Sequence, residues 1–112
     1  MLTYAVIVFA IAAVGGLLLA ASVLRGKLAP WALSIVHALL GATGLIMLVL
    51  VVMKGSSGRV TVALGLLVIA ALGGFYLASM HYRGTIAPKA VVGIHAGVAV
   101  IGFLMLLAAA FF

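Results

Sequence analysis

The chain has 112 residues, 70% of them hydrophobic and 5% charged, and its mean hydropathy of +1.62 excludes a soluble domain and implies an integral membrane protein. Six Lys and Arg stand against no Asp or Glu, which removes carboxylate acid–base catalysis, hard-cation binding by side chains and carboxylate-driven proton coupling. With no cysteine, disulfides, thiolate metal sites, iron–sulfur clusters and covalent c-type haem attachment are excluded as well.

The first apolar run, 2–24, begins "MLTYAVIVFA". It lacks a basic n-region and is too long for the apolar core of a signal peptide, so it is predicted to be a span. The segment "LRGKLAP" follows, with Gly suited to a helix C-cap and Pro30 to a helix start. The second run, 30–53, carries His37. After "KGSSGR" comes the third run, 60–80, then "YRGTIAP", and the fourth run, 88–112, carries His95. Runs of about 21–25 residues, at about 1.5 Å per residue, cross a hydrocarbon core of about 30 Å. The expectation is one all-α membrane domain over 1–112, a four-transmembrane-helix up-down bundle.

The halves repeat. "AAVGGLLLAASVLRGKLAPWALSIVHALLGATGLIML" aligns with "AALGGFYLASMHYRGTIAPKAVVGIHAGVAVIGFLML", with about sixteen identities, more than shared hydrophobicity explains. The chain is thus expected to be two tandem two-helix repeats, about 1–54 and 59–112, related by a pseudo-two-fold axis along the membrane normal. The second and fourth helices are then parallel, and the first and third antiparallel to them. Arg25, Lys27, Arg83 and Lys89 lie in or beside the hairpin loops, against Lys54 and Arg59 in the central loop, which places the hairpin loops inside and both termini outside. Charges scattered in this way form no patch for a nucleic acid. Trp31, Tyr4 and Tyr82 lie near span ends, where an aromatic belt explains them.

Parallel helices with matching starts put His37 and His95 at one depth, each two turns past its proline and about 10 Å below the interface. Across the diagonal of an up-down bundle, roughly 13 Å wide, two imidazoles can meet one metal from opposite sides with a flat macrocycle between them. His37 and His95 are accordingly the expected metal ligands. Gly15, Gly16, Gly73 and Gly74 fall near that depth and are expected to leave room for a macrocycle. Gly41, Gly44, Ala99 and Gly102 keep the next turns thin. Arg25, Arg83, Lys27 and Lys89 are the counter-charges on offer to haem propionates. Each feature also has an ordinary explanation: a histidine bonded to a neighbouring helix's carbonyl, glycines for close packing, basic residues for lipid phosphates. Met47 and Met105 correspond and are expected to be packing residues. His81, whose counterpart is Val23, is expected to sit at an interface without a partner, outside the site.

The parallel helices with their "H-A-x-x-[GA]" segments at His37 and His95 resemble the four-helix b-type cytochromes of the membrane, the cytochrome b561-like group. The resemblance implies haem b held by paired histidines and electron transfer. Members of that group carry two histidine pairs for two haems, whereas this chain has one buried pair, which implies a single bis-histidine haem. Four spans in so short a chain also match small multidrug resistance transporters in size, but those depend on an intramembrane glutamate that this sequence lacks. The expected function is a haem b-binding electron-transfer subunit in a bilayer, a bacterial inner membrane, exchanging electrons with quinone or a partner complex and associating with other membrane subunits or with copies of itself. The alternatives are a cofactor-free structural or accessory subunit and a chlorophyll-type pigment-binding subunit.

Overall fold

A computed structural model describes all residues, 1–112, as four helices and no strand: α1 (Leu2–Leu24), α2 (Trp31–Met53), α3 (Gly58–Tyr82) and α4 (Lys89–Phe111). All four are long and apolar enough to cross a membrane. The bundle measures 42 × 23 × 19 Å, and its long axis matches a bilayer of about 40–45 Å including headgroups. α3 is longer at both ends than the apolar run predicted, since Arg59, His81 and Tyr82 lower the hydropathy without breaking the helix.

The hairpins turn by the same device in each repeat. Gly26 and Gly84 adopt positive φ, +76° and +69°. Gly26 N–H bonds the Val23 carbonyl and Lys27 N–H that of Ser22; Gly84 bonds His81 and Thr85 bonds Met80 in the same pattern. These are Schellman ends, which need a residue tolerant of the left-handed region. Pro30 and Pro88 then occupy the N-cap positions of α2 and α4, where a missing N–H costs nothing.

Each helix packs against its two neighbours in a ring, α1 on α2, α2 on α3, α3 on α4 and α4 on α1, with α2 and α4 on one diagonal. This is the expected up-down bundle. Only 16 residues are buried, so most apolar side chains face outward, as lipid solvation allows.

The tight core lies in the half that holds the termini and the central loop. Val6, Phe9, Leu48, Val60, Ala63, Leu67 and Leu106 form it, with Met105 packed against them. Gly44 and Gly102 belong to this core: a Cβ at Gly44 would lie 2.8 Å from Phe9 Cζ, and one at Gly102 would lie 3.1 Å from Leu67 Cγ. Their role is helix approach. Gly44→Ala should therefore destabilise the bundle by about 1–3 kcal/mol through overpacking against the Phe9 ring, and Gly102→Ala by less, because its nearest contacts, Leu67 Cγ at 3.1 Å and Leu66 Cβ at 3.2 Å, are less close. Thermal unfolding in detergent checks the order, and equal midpoints for Gly44→Ala and the wild type would refute it.

Candidate functional site

Toward the hairpin loops the helices do not close. Alanine and glycine occupy the inner positions there, and between them lies a cavity of about 370 Å³, within the range of about 300–1,000 Å³ usual for ligand pockets. The two repeats line it at equivalent positions: Gly16 with Gly74, His37 with His95, Gly41 with Ala99. Phe9 and Leu67 bound it on the core side, Ala29 and Ala87 on the loop side. Leu17 and Phe75 line it and are 65% and 72% exposed. Both lie well inside their helices, so the cavity opens toward acyl chains.

His37 and His95 stand in its walls, partly buried. His37 Nδ1 lies 2.8 Å from the Ala12 carbonyl oxygen, and His95 Nδ1 lies 2.7 Å from that of Ala70. A carbonyl only accepts, so Nδ1–H donates in both, and the neutral ring keeps its free lone pair on Nε2. Neither Nε2 makes a hydrogen bond within the protein. A carbonyl holding Nδ1–H is the usual support of a ligating imidazole.

The paired glycines seat these rings. A Cβ at Gly16 would meet His37 Cε1 at 2.9 Å, and one at Gly74 would meet His95 Cε1 at 3.2 Å. Gly15 and Gly73 touch the same imidazoles at ordinary contact distance, 3.8 and 3.5 Å. Space expected for a macrocycle edge is thus taken first by the histidines, although Gly16 and Gly74 also reach the cavity wall.

The four cations expected as counter-charges stand in or beside the hairpin loops, outside the cavity wall. Arg25, Lys27, Arg83 and Lys89 are exposed, and none lines the cavity. Arg25 Nε donates to the Ala21 carbonyl at 3.1 Å and Arg83 Nε to that of Ser79 at 3.3 Å, so both satisfy their own helix ends, where cations are favoured. Arg59 does the same across the bundle, with Nη1 3.4 Å from the Ala108 carbonyl of α4.

His81 corrects the expectation made for it. It is 9% exposed, lines the cavity, stacks on Trp31 with ring centroids 4.0 Å apart, and has Nδ1 3.1 Å from Ser34 Oγ. Its partners come from α2, across the seam between the repeats. Where His81, Ser34 and Trp31 stand, the repeat supplies Val23, Val92 and Lys89 at equivalent positions. All three depart from the repeat, and the fold brings the three departures together. Their joint departure was the available signal, but only the contact of α2 with α3 reveals that they meet.

No family model matches the chain, and no curated protein or solved structure matches it.

Proposed function

We propose that the chain holds one haem b between His37 and His95 and serves as a membrane electron-transfer subunit. The observation that carries this reading is the pair of Nδ1–carbonyl bonds, 2.8 and 2.7 Å, which leaves both Nε2 atoms unbonded in the walls of one cavity. The donor set is chemically suited to the group. Neutral imidazoles with fixed tautomers are strong axial ligands, and the apolar walls keep water from them. Haem, when bound, would supply one-electron exchange, and His37 and His95 are the residues that would hold it. The protein's part is to orient the rings through Ala12 and Ala70, to seat them on Gly16 and Gly74, and to shield the site. Quinone or a partner complex is the proposed exchange partner, and other membrane subunits or further copies of the chain are the proposed neighbours in the bilayer.

The same Nδ1 bonds favour a second reading. A histidine that ties its helix to a neighbour is structural, and a cofactor-free accessory subunit would need nothing more. The optical spectrum of protein produced with ample haem separates the two. A Soret band with sharp α bands on reduction is the expected result; colourless protein would defeat the proposal, and far-red bands would replace it with a chlorophyll-type pigment.

The loop charges complete the proposal with an orientation, hairpin loops inside and both termini outside. A reporter fused after Phe112 should signal an outside C-terminus, and a cytoplasmic signal would reverse the assignment.

A further inference from the structure

Each of the two cavity histidines is fixed to its own hairpin. His37 is held by the Ala12 carbonyl and seated on Gly15 and Gly16, all within the first repeat; His95 is held by Ala70 and seated on Gly73 and Gly74, all within the second. The gap between the imidazoles is therefore set by how one hairpin stands against the other. At the terminal end the apolar core fixes this. At the cavity end a single polar contact joins the hairpins: His81 Nδ1 of α3 lies 3.1 Å from Ser34 Oγ of α2. Trp31 of α2 stacks on the same imidazole, with centroids 4.0 Å apart and planes 10° from parallel. Every other side-chain hydrogen bond stays within one repeat.

We propose that His81, Ser34 and Trp31 form a clasp that positions the two hairpins and so sets the gap between His37 and His95; its role at the site rests on the reading of those histidines as a ligand pair. The clasp grips α2 and α3 where it matters. Ser34 precedes His37 by three residues, about one helical turn, so it holds α2 beside that imidazole. His81 follows Gly74 by seven residues, two turns along the same face of α3, so it holds the helix that seats His95. A hydrogen bond and a ring stack are directional, whereas apolar contact is not. The equivalent seam between α1 and α4 carries Val23 and Val92, which supply only apolar contact. The clasp also comes at a cost, because His81 Nε2 is buried with no hydrogen-bond partner. A valine pair closes the other seam without that cost, so packing alone does not account for His81 and Ser34. Fixing one spacing does.

Two readouts test the clasp in the full chain reconstituted in lipid. The sequence has no cysteine, so Leu24→Cys and Tyr82→Cys, at equivalent exposed helix ends outside the cavity wall, take one spin label on each hairpin. Without haem, the label distance should be single and narrow in this background. It should broaden in Ser34→Ala and in His81→Phe, which keeps a ring for the stack but removes both nitrogens. With haem added, the same two substitutions should weaken its binding about three- to eighteenfold, the worth of one interhelical hydrogen bond in a bilayer, and turn part of the low-spin spectrum high-spin. Ser34→Thr, which keeps the hydroxyl, should match the wild type in both readouts, and the double variant should lose no more than the worse single one. Unchanged distances in Ser34→Ala and His81→Phe, equal broadening in Ser34→Thr and Ser34→Ala, or additive losses would each overturn the proposal. Colourless protein whose label distances still depend on Ser34 and His81 would remove the haem reading and leave the clasp. A low-spin haem spectrum that persists undiminished in both variants would remove the clasp's role at the site and leave the haem.

Discussion

His37→Ala and His95→Ala should each abolish the low-spin haem spectrum while leaving membrane insertion intact. The two should do so to the same degree. Each imidazole is held by an equivalent bond, to Ala12 or Ala70, against an equivalent pair of glycines, so neither can substitute for the other. A survivor alone could keep at most a five-coordinate haem. The structural loss is small by comparison. A hydrogen bond between helices in a bilayer is worth about 0.6 kcal/mol on average and about 1.7 at most, too little to unfold a bundle whose core lies at the other end. Spectra and membrane-fraction yield of the two variants decide the matter. Strongly unequal spectral losses would indicate that the histidines serve different sites, and loss of protein in step with loss of colour would make them helix ties.

The second large effect is expected at Gly16. Gly16→Leu should prevent haem incorporation, because even its Cβ falls 2.9 Å from His37 Cε1, closer than carbon atoms approach without displacement. The imidazole must swing away, and the bond that fixes its tautomer through Ala12 is then lost. Gly74→Leu should act in the same direction. Alanine makes the finer distinction. At Gly74 the equivalent distance is 3.2 Å, which a shift of a few tenths of an ångström relieves, so Gly74→Ala should retain more haem than Gly16→Ala. The haem-to-protein ratio of the purified variants measures it. A full complement of haem in Gly16→Leu would show that the seat is dispensable.

His81 illustrates where inference from the chain alone fails. Its counterpart Val23 and its place at the end of an apolar run suggest an interfacial side chain. Burial instead came from α2, an element distant in sequence, which supplies a stacking ring in Trp31 and a hydroxyl in Ser34. The basic residues show a different effect of local geometry. Arg25 and Arg83, expected as counter-charges at the near interface, turn Nε back to the carbonyls of their own last turns.

The sequence by itself determined four spans, the repeat, the glycine and proline turns between paired helices, and the equivalent positions of His37 and His95 in the two repeats. Those properties follow from hydropathy, period and local backbone preference, all of which act over a turn or a span of chain. Tertiary structure alone decided which glycines close the core and which seat an imidazole, for Gly16 and Gly44 look alike until Phe9 and His37 are placed against them. It also decided that the bundle packs tightly at one end and stays open at the other, and that His81 belongs to the open end. Such outcomes depend on which side chains meet across a seam, and the distances involved are set only when all four helices pack at once.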